Sequence, residues 1–335
     1  MAVMPFVYEG RTKARRLTGC PGERQGVGMQ DTHKESREGL AHAILAHMIW
    51  GVLPIYFKAV SSVAPLEVLA NRIFWTLALM LGILAWRGAL GSFVAALRAP
   101  RTLAALTVSG IAIAINWLTY IWAVTNDHVL AASLGYFLTP FISVLLGVAL
   151  LRERVSRPQW VAVGLAAAGV VILATKAPST LNISLAVAFA FAIYGLVRKL
   201  TPVSPMTGLG VETLVLVLPA IGMLFWVEHK SGLSFGSNSK LTLLLIASGA
   251  ITSAPLLLFA SGARRLTMVT TGLLQFLSPM IQFLLGVLVF GEQLTPERWV
   301  AFALIWTGLA VFVWPIVTQR RSYVPPPSAS PPSAR

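Results

Sequence analysis

The stretch SLGYFLTPFISVLLGVALLRERVSRPQWVAVGLAAAGVV, residues 133–171, decides the fold because the chain contains a second copy of it. The second copy, residues 272–310, reads GLLQFLSPMIQFLLGVLVFGEQLTPERWVAFALIWTGLA. The two copies align without a gap at an offset of 139 residues, and their identical residues include Pro140 and Pro279. The chain therefore contains a duplicated, mostly apolar unit.

Ten apolar runs of about 17 to 24 residues fill the chain from Gly39 to Val317. A helix needs roughly 20 apolar residues to cross about 30 Å of hydrocarbon. A mean hydropathy of +0.76 with only 11% charged residues is not typical of a soluble domain. We therefore predict an all-α polytopic membrane protein with ten transmembrane helices. The predicted spans are 39–60, 66–86, 102–124, 129–151, 159–175, 180–197, 209–228, 241–262, 267–290 and 297–317.

The duplication predicts two five-helix repeats, residues 39–175 and 180–317. A repeat with an odd number of spans must lie upside down relative to its copy, and inverted repeats are common in alternating-access transporters. Residues 1–38 form a polar leader and residues 318–335 a proline-rich tail, and we expect both to be disordered. Transport is the leading hypothesis from the repeat alone.

The loop charges predict the orientation, because lysine and arginine concentrate on the cytoplasmic side. With the N-terminus inside, the inner loops hold Arg87, Arg98, Arg101, Arg152, Arg154, Arg157, Arg198, Lys199, Arg264 and Arg265. The outer loops hold only Lys176, Lys230, Lys240 and Arg298. Both termini are therefore expected in the cytoplasm. The net charge of +14 reflects this topology, and no basic face with stacking aromatics indicates nucleic-acid binding.

Several segments resemble a known family. They are IWGVLPIYFKAV (49–60), EVLANRIFW (67–75), NWLTYIWAVTNDHVLAASLGYF (116–137), YGLVRK (194–199), VET (211–213) and QFLSP (275–279). The chain resembles the drug/metabolite transporter superfamily with paired EamA domains, specifically its RarD, or chloramphenicol-sensitive protein, branch. The resemblance implies a bacterial inner-membrane permease without a cofactor. It supplies no ligand; the inverted repeats and the candidate aromatic lining lead us to expect small amphipathic organic solutes, such as drugs like chloramphenicol or metabolites like amino acids. The expected partners are this solute and membrane lipids, with a homodimer left open.

Ionisable residues inside predicted spans are expensive and are functional hypotheses by default. Lys58, Glu67 and Arg72 lie near the outer face, and Arg198 and Glu212 near the inner face. At an offset of 140 residues, Lys58 corresponds to Arg198 and Arg72 to Glu212. We interpret the two groups as outer and inner gates. The alternatives are snorkelling of the long cations and a purely structural buried pair.

A second group of residues is polar and aromatic, as expected for a cavity that binds an amphipathic molecule. Its members are Trp50, Tyr56, Asn116, Trp117, Tyr120, Tyr136, Tyr194, Gln275 and Gln282. Hydrogen bonds between helices are the alternative role for the polar members. Pro140 and Pro279 occupy equivalent places in the two copies, and proline bends a helix. These prolines are predicted hinge points.

Other classes of protein are less consistent with the sequence. The enzyme motif HExxH does not occur in it, and the one GxSxG match, GLSFG at 232–236, lies in a predicted loop between helices and not between a strand and a helix, so no catalytic residue and no metal ligand is assigned. His42 and His47 in the first span are candidates for a proton relay, although packing is the usual role of such a residue. A channel, a receptor or an assembly factor built on the same helical bundle remains the alternative to a carrier.

Overall fold

The structure is a computed structural model that describes residues 21–125, 129–175, 181–289 and 296–318. All regular elements in these ranges are helices. They are α1 (Pro21–Ala59), α2 (Pro65–Trp86), α3 (Leu90–Arg98), α4 (Pro100–Thr125), α5 (Val129–Ala149), α6 (Arg157–Ala174), α7 (Leu181–Leu200), α8 (Pro205–Ser231), α9 (Ser239–Arg265), α10 (Met268–Leu274), α11 (Leu277–Leu288) and α12 (Pro296–Thr318).

The described helices are those of a membrane protein. Eight helical segments are long and apolar enough to cross a bilayer, and Leu134–Ala149 and Trp299–Trp314 are shorter apolar helices. Large apolar side chains cover the outside, among them Trp86 and Leu218, which are 86% and 75% exposed. Such a surface is compatible with lipid and not with water. The predicted all-helical polytopic class is confirmed, while the inverted ten-span arrangement stays a prediction.

Three elements differ from the predicted spans. Helix α1 begins at Pro21, so the second half of the leader is helical where disorder was expected, and α3 lies in a predicted loop. The predicted single span 267–290 consists of α10 and α11, which are separated at Gln275 and Phe276. Pro279 contributes to this break, because it has no N–H for the carbonyl of Gln275, four residues earlier. Residues 1–20 and 319–335 lie outside the described residues.

Helices α6 and α12, the last of each copy, pack through equivalent small residues. A Cβ atom added to Gly169 would lie 2.6 Å from the carbonyl oxygen of Ala301, and one added to Gly308 would lie 2.8 Å from that of Ala162. The contacts are reciprocal, since Ala301 is the repeat mate of Ala162 and Gly308 that of Gly169. The pairs run in opposite order along the chain, so the two helices are antiparallel. Inverted copies predict this arrangement.

The remaining helix contacts also occur in equivalent pairs, in which each helix is replaced by its mate from the other copy. Helix α1 packs on α9 as α7 packs on α4, and α5 packs on α7 as α11 packs on α1. Helices α2 and α8, which are mates, pack directly on each other. Contacts between the copies therefore join the bundle, and side chains from both copies meet at its centre.

Candidate functional site

A cavity of about 430 Å³ lies between helices of both copies. This volume is within the usual range for small organic ligands, roughly 300–1,000 Å³. Its aromatic residues are Trp50, Phe57, Trp117, Tyr120, Tyr136 and Phe191. Its polar residues include His47, Arg72, Asn116, Gln275, Ser278 and Gln282. Aromatic walls with a few fixed polar groups suit an amphipathic organic molecule.

Seven of the nine predicted cavity residues line this space: Trp50, Asn116, Trp117, Tyr120, Tyr136, Gln275 and Gln282. The other two are engaged elsewhere. The hydroxyl of Tyr56 donates to the carbonyl of Leu244 at 3.2 Å, and Tyr194 is 1% exposed and stacks on Phe259 with ring centroids 6.0 Å apart. Sequence reasoning missed Phe57 and Phe191. The i, i+3, i+7 spacing of Trp50, Leu53 and Phe57 was the available signal.

The Arg72 guanidinium lines the cavity and is held by three neighbours. Its Nε donates to the Thr252 hydroxyl at 2.8 Å, and its Cζ lies 4.6 Å from the Trp117 ring centroid and 5.5 Å from that of Phe57. An arginine at membrane depth costs roughly 2.5–3.5 kcal/mol on insertion scales. Cation–π contacts contribute about 1–2 kcal/mol each, and the hydrogen bond adds about 1 kcal/mol. These contacts offset the cost of burial without neutralising the charge.

Two carboxamides project into the same region from different copies. Asn116 Nδ2 donates to the carbonyl of Val187 at 2.9 Å, and the Tyr136 hydroxyl lies 3.5 Å from Asn116 Oδ1. Gln275 Oε1 accepts from the Ser143 hydroxyl at 3.1 Å, while Gln275 Nε2 is buried without a hydrogen-bond partner in the described part of the chain. The interhelical hydrogen bonds expected as an alternative therefore coexist with cavity positions. The break between α10 and α11 presents Gln275 to the cavity.

Helix α11 is tied to α1 at a proline. Pro54 lies inside α1 and cannot donate to the carbonyl of Trp50, four residues earlier. The Gln282 amide supplies the donor, with Nε2 at 3.0 Å from that carbonyl. Close packing makes this possible, since a Cβ atom on Gly51 would lie 2.6 Å from the Ile281 side chain. Gln282 therefore has a structural bond as well as a place in the cavity wall.

His47 is a packed residue with one bonded ring nitrogen. Its Nδ1 lies 2.6 Å from the Ala43 carbonyl, which can only accept, so Nδ1 carries the proton. Its ring meets the rings of Trp50 and Phe259 edge-on, at centroid distances of 5.3 and 5.9 Å. His42 lies 3.0 Å from the Ser261 hydroxyl. No bond joins the two histidines in the described structure, and a proton relay stays a prediction.

Two of the three predicted outer-gate residues, Glu67 and Arg72, bind different partners. Glu67 is fully buried, and its carboxylate accepts from the backbone N–H groups of Ser234 and Phe235 at 3.0 and 2.8 Å. It holds the α8–α9 connection against α2. Lys58 is exposed and is not among the described cavity-lining residues, whereas Arg72 is. Spacing on one helix did not predict the partners, because Glu67 and Arg72 each bind groups on other elements.

The predicted inner pair is formed. Arg198 Nη1 lies 3.5 Å from Glu212 Oε1, with both side chains 2% exposed. The Ser109 hydroxyl donates to the same Oε1 at 2.6 Å, and Arg198 Nη2 donates to the carbonyl of Pro205 at 3.0 Å. Gly208 provides the space, because a Cβ atom there would overlap Arg198 Nη1. The pair joins α7 to α8 outside the cavity wall.

A further carboxylate, Glu153, lies near the C-terminal end of α9, and it was not singled out from the sequence. Glu153 accepts from the backbone N–H groups of Met268 and Val269 at 2.8 and 2.9 Å, at the start of α10. Lys199 lies 4.0 Å from it and donates to the carbonyls of Ala263 and Leu266. Glu67 and Glu153 therefore fix backbone at opposite ends of α9. The repeat mate of Glu153 lies outside the described residues.

Comparison with protein families identifies the class of protein that this fold and cavity define. The model of the EamA-like transporter family matches the chain twice, over residues 37–175 and 180–314. These two matches cover most of the chain. The protein belongs to the EamA-like transporter family.

The more similar relatives define the branch. The chain is 41% identical to Protein RarD of Streptomyces exfoliatus, over 86% of this chain and 92% of that protein. It is 40% identical to Protein RarD of Escherichia coli, over 86% of this chain and 98% of the relative. A crystal structure with 21% identity covers 84% of this chain with a TM-score of 0.65, which shows a shared fold. The chain is thus in the RarD branch of the family, as predicted.

Proposed function

We propose that this protein is a secondary permease of the bacterial inner membrane that carries small amphipathic organic solutes by alternating access, without changing them chemically. The cavity is the observation that carries the proposal. It is shared by both copies, walled by aromatic rings, and large enough for a molecule of this size. The broken α10–α11 segment supports it, since discontinuous helices commonly form transporter binding sites.

The described conformation is outward-facing in this proposal. The cavity wall reaches Ser61 and Val63 in the turn between α1 and α2, which the loop charges assign to the outside. On the opposite side, the Arg198–Glu212 pair and the Glu153 contacts close the route to the cytoplasm. Both termini are cytoplasmic in this orientation. Breaking the buried pair would be part of opening inward.

Cysteine labelling tests the cavity. Leu53→Cys and Gln275→Cys, each made after replacing Cys20 with serine, are expected to react with a membrane-impermeant thiol reagent. Ser143→Cys is the matched control, because Ser143 is fully buried beside Gln275 and does not line the cavity. A transported solute should protect the first two positions. Unreactive cysteines at both positions, from either side of the membrane, would refute the proposed site.

A flux assay separates the carrier from its main alternative. A carrier shows saturable uptake and counterflow in reconstituted vesicles, because each solute crosses in a conformational cycle. A channel shows neither property. The test solutes are amphenicol drugs, amino acids and small aromatic acids, the classes that fit the size and lining of the cavity.

A further inference from the structure

The cavity has a net positive character. Arg72 is the one lysine or arginine among the described residues that line it, and no aspartate or glutamate is present in that lining. Arginine keeps its charge at physiological pH. The described structure also shows no carboxylate within ion-pair distance of Arg72. An unneutralised cation therefore faces a space walled mainly by rings.

The contacts of Arg72 leave its hydrogen-bonding edge available. The Thr252 hydroxyl oxygen accepts the hydrogen bond that Arg72 Nε–H donates, and the faces of Trp117 and Phe57 pack near the guanidinium carbon. None of the described hydrogen bonds uses the two terminal nitrogens. A carboxylate can accept from two guanidinium nitrogens at once, in a geometry that gives both strength and orientation. The bond to Thr252 orients the Arg72 guanidinium before a ligand binds.

The rest of the cavity specifies the body of the ligand. Trp50, Tyr120 and Phe191 supply apolar and aromatic surface, and the neutral amides of Asn116 and Gln275 supply the remaining polarity. A cationic solute would meet Arg72 and find no acidic partner in the described lining. A metal ion is also disfavoured, because no cluster of potential metal ligands exists among the described residues.

We infer that the carried solute is an organic anion, with a carboxylate that binds the Arg72 guanidinium and an aromatic or branched apolar body that packs against the rings. This inference rests on the proposed function and narrows its substrate class. It assigns Arg72 to substrate binding and leaves inner closure to the Arg198–Glu212 pair.

Matched acid and amide probes test the inference. Phenylacetate, 3-phenylpropionate and indole-3-acetate are compared with their carboxamides, which have the same shape and no charge, by calorimetry on the purified full-length protein at pH 7.5. At least one acid is expected to bind ten- to a hundredfold more tightly than its amide, as a charge-assisted hydrogen bond would produce. This comparison uses the unaltered protein and does not depend on the folding of a variant.

Two variants test whether Arg72 causes the difference in affinity between acid and amide. Arg72→Gln should lower the affinity for the acid by at least tenfold and change that for the amide by less than twofold. Arg87→Gln is the control, since Arg87 is exposed just after the other end of α2 and its replacement removes the same charge. It should leave both affinities unchanged. Thermal unfolding verifies that both variants are folded.

Three results would overturn the inference: equal binding of acid and amide, unchanged acid affinity in folded Arg72→Gln, or no binding of any acid to a protein whose cavity cysteines react. The last result would leave the proposed permease intact, because the cavity would still be accessible. Unreactive cavity cysteines would instead refute the proposed function itself. The two failures are thus distinguishable.

Discussion

At the scale of single residues, Gly208 is the position on which the inner ion pair depends for space. The guanidinium of Arg198 occupies the volume that a side chain at residue 208 would fill. A fully buried arginine needs close contact with its carboxylate to be tolerated, because removing one partner of such a pair is strongly destabilising. One missing methyl group therefore permits the contact between α7 and α8.

Replacing Gly208 with alanine should displace the guanidinium and destabilise the protein by about 1–3 kcal/mol, the usual cost of overpacking. Gly222→Ala is the matched control on the same helix, where an added Cβ atom meets nothing within 4 Å. Alanine there should be neutral or slightly stabilising, because alanine has a higher helix propensity than glycine. Thermal unfolding in detergent measures both. Equal effects of the two substitutions would show that Gly208 is not needed for space.

The sequence predicted many cavity residues and could not predict their partners. Polar and aromatic side chains in a membrane span are conspicuous, so seven of the nine candidates lie in the wall. Tyr56 and Tyr194 are equally conspicuous, yet they face neighbouring helices. Which side of a helix faces the cavity is decided by its neighbours, and in a buried bundle all faces of a helix can be apolar. Glu67 shows the same limit, since its partners lie far along the chain.

At the scale of elements, α1 and α11 are joined by a bond that compensates for Pro54. Gln282→Leu removes the donor to the carbonyl of Trp50 and should cost about 1 kcal/mol, within the range for polar groups between membrane helices. Pro54→Ala restores a backbone N–H in α1 that can bond to the same carbonyl. The double variant should therefore be more stable than additivity predicts. Thermal unfolding of the four proteins measures the coupling, and strict additivity would contradict this account.

The helices were predictable where hydrophobicity alone defines them. Helix α2 begins within one residue of its predicted span and ends with it, since Pro65 starts the helix and Arg87 and Gly88 follow Trp86. The break at Gln275 and Phe276 was not predicted. Proline was recognised as a bend in both copies, but α5 continues through Pro140 while α10 and α11 separate before Pro279. The same residue in equivalent places gives two outcomes because the surrounding contacts differ.

At the scale of the whole molecule, the inverted repeat predicts the orientation of its loops. The segment at Arg157 should be cytoplasmic, and the equivalent segment at Pro296 should lie outside. Alkaline phosphatase is active only outside the cytoplasm, so a fusion at Pro296 should be active and a fusion at Arg157 inactive. Immunoblots control for the amount of each fusion. The opposite pattern would contradict the inverted arrangement.

The central claim is that the cavity opens to one side at a time and that the Arg198–Glu212 pair closes the inner side. The direct measurement is the rate of labelling of Leu53→Cys in right-side-out and inside-out vesicles, with and without Glu212→Gln. Glu228→Gln, an exposed change on the same helix, is the control.

With the pair intact, labelling should be at least tenfold faster from the outside, a ratio that corresponds to about 1.4 kcal/mol between the two states. Glu212→Gln should raise the rate from the inside and lower it from the outside, while Glu228→Gln changes neither. Fast labelling from both sides of the same protein would indicate a continuous channel. A rate that does not respond to Glu212→Gln would contradict the role of the pair in closing the inner side.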